Sequence, residues 1–228
     1  MSYAFGDQLN FLSSLLADSN TDSESMWPLA QRKTEINHAE KQFARDSRIL
    51  MENTTGTITS LTIDVPSGWF ETYVLYVTVS GTKYKVTGRR EISPNDLERY
   101  QDYGGDVPYY YFWTFSGVRK IKLVGSSAIN GGAYDFYYFK HPTTDLAATT
   151  DVSIIPEEFR KAAEYKTASD LLLQIGQYTR SAFLSNKYNE MVGQALLLSE
   201  RWYKNSELPS PDFNFVDGDP VDRIGVGE

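Results

Sequence analysis

The chain has 228 residues, a net charge of −8, 23 % charged and 14 % aromatic side chains, and no cysteine. That is a folding composition with apolar surface for one sizeable core or two small ones. It excludes a disulfide framework and a cysteine zinc site, and the acidic balance disfavours tight binding of nucleic-acid phosphates.

The stretch from Met1 to Ala17 carries Asp7 and no basic region, so it is not expected to be a signal peptide. Within it Phe5, Leu9, Leu12 and Leu16 recur on one helical face, which predicts a helix from about Tyr3 to Leu16. Asp18 to Ser25 is polar and reads as a loop. A second helix is expected from Pro28, a residue suited to a first turn because its missing N–H has no partner there. Its stripe is Leu29, Ile36, Phe43 and Leu50, and its end is placed near Asn53 to Gly56.

From Asn53 to Lys140 the period changes to two. Leu61, Ile63 and Val65, then Tyr84 and Val86, then Ile121 and Leu123, then Tyr134, Phe136 and Tyr138 alternate with polar or outward positions. Ser80-Gly81-Thr82, Ser116-Gly117 and Asn130-Gly131-Gly132 are read as hairpin turns between these strands. Ser93 to Asp96 reads as the start of a short helix. A third helix is expected from Ile155-Pro156-Glu157-Glu158, with Phe159, Ala162, Ala163, Leu171, Leu172 and Ile175 buried and Gly176 as its stop. The fourth, about Thr179 to Lys204, spaces Leu184, Tyr188, Met191, Ala195, Leu198 and Trp202 as a heptad stripe.

The last 24 residues hold six acids and one base, three prolines and no period, which describes an extended tail that orders on a partner. The whole order predicts an α+β fold. An antiparallel bundle of about four helices (1–52 and 153–204) carries an inserted antiparallel β domain (53–152) and an extended acidic tail (205–228).

No residue set assembles a reaction. His38 and His141 lack metal-ligand spacing, and Glu157 and Glu158 diverge by about 100° on a helix and complement its positive end. Asp217 to Asp222 lacks the spacing of a calcium loop and its late glutamate. There is no phosphate-binding glycine loop and no nucleophile elbow. The expectation is therefore no catalytic, metal or cofactor site. In the run Tyr109 to Trp113 alternate members face opposite sides of a strand. One set fills the core, and Tyr109, Tyr111 and Trp113 are assigned to a contact between subunits, where aromatics concentrate.

Several segments in their order resemble the head-to-tail adaptor proteins of tailed bacteriophages, including the tail tubular protein A class. They are Trp27-Pro28 through Ile36-Asn37-His38-Ala39, the aromatic hairpin Trp113 to Leu123 with Gly117 at its turn, Tyr137-Tyr138, and Ile155-Pro156-Glu157-Glu158-Phe159 with Ala162-Ala163 and the last helix. After the Ile121-Lys122-Leu123 strand, where that family often has prolines, this chain has Gly125-Ser126-Ser127. The resemblance implies a ring, usually of twelve copies, at the head-tail junction of a virion assembled in the host cytoplasm. It implies a portal protein above, a downstream tail or nozzle protein below and DNA in transit through the bore. An acidic lumen agrees with that role, because like charge lets the genome slide. Within the tail Leu208, Phe213, Phe215, Val216 and Ile224 are the expected anchors on the portal or a neighbouring subunit, and no membrane partner is expected, since no apolar run approaches about 20 residues. Two other readings compete: a carbohydrate- or receptor-binding tail module using the aromatic strands, and a cell-wall glycan hydrolase acting through carboxylates.

Overall fold

The computed structural model describes residues 3–18, 25–88, 109–115, 118–124 and 129–205; of 87–88, 109–111, 113–115, 118 and 202–205 only the backbone is described. The described elements run α1 (Phe5–Leu16), α2 (Leu29–Ser47), β1 (Met51–Thr57), β2 (Thr62–Asp64), β3 (Trp69–Val79), β4 (Thr82–Gly88), β5 (Tyr109–Phe115), β6 (Val118–Val124) and β7 (Ala133–Lys140). A 3₁₀ turn (Glu157–Phe159), α3 (Lys161–Gln174) and α4 (Tyr178–Asn205) follow. The fold is mixed α+β, four helices and a mostly antiparallel sheet among the described residues. The expected short helix near Ser93 and the tail beyond Asn205 lie outside them.

The helices share two apolar clusters. The α1 stripe, Phe5, Leu9, Leu12 and Leu16, is wholly buried against Ile36 of α2, Leu171 and Leu172 of α3 and Leu184 of α4. Nearer the sheet, Phe43 and Ala44 of α2 meet Ile155, Phe159 and Tyr188. Helix α3 stops as its sequence predicts: Gly176 takes a left-handed φ of 77°, and the N–H groups of Gly176 and Gln177 return to Leu173 O and Leu172 O. Three members of the expected stripes are corrected. Ile175 is exposed, because it sits in the turn after the last helical residue, and Met191 and Leu198 are only half-buried.

Helix α2 ends sooner than expected. Arg48 adopts φ 50° and its N–H closes on Ala44 O, and Met51 to Thr57 leave as β1, paired in unbroken register with β7 from Met51↔Phe139 to Thr57↔Ala133. The run Asn53-Thr54-Thr55-Gly56 explains this, since asparagine, threonine and glycine are poor in helix interiors and threonine suits a strand. Leu50 still reaches the second cluster, so the seven-residue spacing is satisfied by position rather than by helix.

The strand order is β1-β7-β3-β4-β5-β6-β2. Only residues 58–61 connect β1 to β2, although the two occupy opposite ends of that order. In a flat sheet of seven strands at about 4.8 Å spacing the ends would stand about 29 Å apart, whereas the connection spans at most about 17 Å. The sheet therefore curls until its ends approach. The chain reverses at Ser60-Leu61, both left-handed, and Thr62 donates to Thr59 O at 3.0 Å. The curled interior holds Ile63, Leu75, Val77, Val86, Ile121, Leu123 and Phe136, drawn from five strands.

Two expectations about the sheet are corrected. The β4–β5 pair is parallel, through Thr87↔Tyr109 and Gly88↔Tyr110; the twenty residues between these strands give the long connection that parallel pairing requires. Asn130-Gly131-Gly132 is not a hairpin between neighbours, because β6 and β7 are not adjacent. Instead Gly131 donates to Ile58 O and Gly132 accepts from Ile58 N, both at 2.9 Å, which extends the β1–β7 ladder. The Ser80-Gly81 hairpin joins β3 to β4 as expected, with both residues at positive φ.

Candidate interaction surface

One segment that carried the family resemblance joins α2 to the loop after β7. In Ile36-Asn37-His38-Ala39, Ile36 and Ala39 are buried in the helical core and His38 faces solvent. Asn37 Nδ2 donates to Leu146 O at 3.0 Å while Asn37 Oδ1 accepts from Leu146 N at 2.7 Å, so one amide side chain pairs with both backbone groups of Leu146. The same α2 face sends Lys33 to Ala147 O at 2.8 Å and Lys41 to Asp145 at 2.6 Å. Residues 145–151 are thereby strapped to α2. The strap in turn accepts the first N–H groups of α1, Phe5 N to Asp151 O and Gly6 N to Thr149 O, both at 2.8 Å, which otherwise lack partners. Asp151 accepts from the N–H groups of Ala147 and Ala148, and those bonds hold its carboxyl below the usual range.

Asn37→Leu removes both bonds to Leu146 and leaves a peptide donor and acceptor unpaired. It is expected to destabilise the chain by about 2 kcal/mol, read as a lowered urea midpoint. His38→Ala, on the exposed position beside it, is expected to leave that midpoint in place.

Where the expected contact residues fall is a separate matter. Tyr109, Tyr111 and Trp113 stand on β5 at the register positions of Val124, Lys122 and Lys120 of β6; their side chains lie outside the described residues. Phe112, between them, is half-buried against the sheet interior, with its ring 4.7 Å from Trp69 and the Arg119 guanidinium about as close to both rings. Leu208, Phe213, Phe215, Val216 and Ile224 lie outside the described residues.

The sequence did not point to the apolar surface that the structure does show. Met26, Leu173, Ile175, Tyr178, Phe183 and Leu197 are large and exposed, Tyr178 by 70 % and Phe183 by 61 %. Four of them flank the α3–α4 turn, where a shallow depression is lined by Gly176 to Arg180, and Arg180 ties that turn to α1 through Leu15 O at 2.6 Å. Periodicity registers which positions match a stripe; an apolar residue off the stripe gives no signal of its own.

Titratable groups gather elsewhere. Glu40 of α2 and Glu164 of α3 are buried beside Tyr3 and Gln8. Burial pushes the Glu164 carboxyl up to about 8, with the Glu40 charge adding to the effect, and burial raises Glu40 against hydrogen bonds from Ser153 and Gln8. Among the described residues no three histidine, cysteine, aspartate or glutamate side chains are placed to hold a metal ion, and no helix is long and apolar enough to cross a membrane.

A helical unit with its own apolar core, joined to a curled sheet and carrying exposed apolar side chains, makes a chain suited to protein contacts. The chain belongs to the SU10 adaptor protein family, whose model matches residues 9–207. It is a bacteriophage adaptor, a virion component by family, and that family suggests a structural rather than an enzymatic protein. No curated protein matches the chain.

Proposed function

We propose that this adaptor forms a homo-oligomeric ring, of twelve copies, that joins the portal to the tail and lines part of the DNA conduit. The observation that carries this reading is the family match across residues 9–207, and the −8 net charge supports it, since an acidic bore does not hold phosphates. In this reading residues 1–52 and 153–204 form an antiparallel helical unit, residues 53–152 an inserted β unit, and 205–228 a tail. Tyr109, Tyr111 and Trp113 meet the neighbouring subunit. Leu208, Phe213, Phe215, Val216 and Ile224 anchor the tail on the portal or on a neighbour. A nozzle or other tail protein binds the far side, and the ring assembles on capsids in the host cytoplasm without catalysing a reaction.

Negative-stain microscopy of the protein mixed with its portal tests the ring directly. Rings stacked on portal are the expected image; monomers that leave portal unaltered would overturn the reading. Truncation after Lys204 tests the tail. The shortened chain is expected to melt within a few degrees of the full chain, because the described cores lie before it, and to be lost from portal complexes. Unimpaired assembly of the truncated chain would remove the tail from the interface.

A further inference from the structure

The α1–α2–α3 junction contains a buried carboxyl pair. Glu164 is 0 % and Glu40 3 % exposed. Gln8 of α1, 1 % exposed, donates Nε2 to Glu40 Oε1 at 3.1 Å. Five further buried oxygens there have no hydrogen-bond partner of good geometry: both of Glu164, Gln8 Oε1, the Tyr3 hydroxyl and Thr167 Oγ1, the last one turn beyond Glu164 on α3. The Tyr3 hydroxyl lies beside Glu164 and is itself raised, by burial first and then by that carboxylate.

The charged groups around the pair do not neutralise it. Arg160 gives its guanidinium to Ile155 O at 2.9 Å and Tyr3 O at 3.0 Å, and it acts on Glu40 only through space. Lys161 lies over the Phe11 ring at 5.2 Å. Asp7, in the first turn of α1, adds a further negative charge beside Tyr3, and the phenol of Tyr165 also faces Tyr3. Among the described residues neither buried carboxylate has an ion-pair partner. Two ionised carboxylates in such a site repel each other with little solvent to screen them, whereas one proton removes that repulsion and adds a donor to the hydroxyls of Tyr3 and Thr167 already there.

We propose that the Glu40–Glu164 pair is a proton-binding site that latches α1 to the rest of the helical core: α1 is docked while the pair holds one proton and loosens when both carboxylates are ionised. α1 supplies Gln8, and Tyr3 just precedes it, so undocking α1 is the movement that admits water to the pair. The sign follows from linkage. A carboxyl that binds its proton more tightly in the docked state favours docking at low pH, and that advantage is lost as pH rises towards about 8.

Hydrogen exchange, expressed as protection factors, tests the latch. Between pH 6 and 7.5 the protection of α1 amides is expected to fall by up to about tenfold per pH unit, the slope for release of one proton, and to level off above about pH 8. Amides of β7 should not follow. Glu164→Gln should flatten the α1 profile; Glu40→Gln leaves Glu164 buried and removes only the neighbouring charge, so it should move the fall in protection to lower pH. An α1 profile independent of pH in the unaltered protein would overturn the proposal, and so would an unchanged slope in a folded Glu164→Gln chain or an unmoved profile in a folded Glu40→Gln chain. A variant that raises protection equally at every pH would show a packing effect and no latch. If neither variant folds, the slope of the unaltered protein decides.

Discussion

Phe43→Ala is expected to cost about 3–5 kcal/mol of unfolding free energy, the range for a fully buried phenylalanine. The ring is 1 % exposed, with the rings of Phe159 and Tyr188 at 6.0 and 6.2 Å. It sits where α2, the 3₁₀ turn and α4 converge above the start of β1, beside Ala44, Ile49 and Ile155. Deleting it opens a cavity that helix ends of fixed geometry cannot fill. Urea melts followed by far-ultraviolet circular dichroism measure the loss. Phe43→Leu should lose less, and an unmoved midpoint for Phe43→Ala would show that this cluster does not hold the fold. Leu198→Ala, on a half-buried position at the rim of the same cluster, is expected to cost less than the about 2–5 kcal/mol typical of a buried leucine.

A loss of the same order, about 3–5 kcal/mol, is expected for Phe136→Ala in the sheet. Phe136 has no exposure and stacks on Tyr138 at 5.1 Å. Its strand is the one that holds β1 and β3 together, with Phe136 opposite Thr54 on one side and Leu75 on the other. Melting followed at once by tyrosine near-ultraviolet dichroism and by helical ellipticity reads more than the size of the loss. Coincident, lowered transitions mean that sheet and helices unfold as one unit; a lowered sheet transition alone means that they do not. Unmoved transitions would contradict the burial on which the expectation rests.

What the sequence made legible followed from periodicity. The α1 stripe, the start of α2 at Pro28, the stop at Gly176 and the strand faces of Ile121, Leu123, Phe136 and Tyr138 were all readable, because each is a local pattern with one face buried. The end of α2 was not. Leu50 keeps the heptad, and only pairing with β7, some 85 residues on, makes Met51 to Thr57 a strand. The parallel β4–β5 contact and the curl of the sheet are likewise set by which strands meet, information that no window of neighbouring residues contains. The Ile36-Asn37-x-Ala39 segment could be recognised but not explained, since the reason for Asn37 is the backbone of Leu146. The buried acids were invisible for a related reason: Glu40 and Glu164 look like any helical glutamate until α1 covers them.

The pairing of the N-terminal helices with the C-terminal ones also sets an order of events on the ribosome. Arg160 reaches back to Tyr3, and Arg180 to Leu15, across 157 and 165 residues. Both N-terminal helices therefore emerge long before the helices that cover their apolar stripes. Closing so long a loop directly is entropically unfavourable, whereas a sheet that has already formed brings Leu50 and Lys140 to one hydrogen bond and shortens the loop to be closed. The nascent chain is therefore expected to fold from its middle outward. During that interval the stripes of α1 and α2 are exposed to chaperones, and a rare-codon pause before α4 would lengthen the exposure.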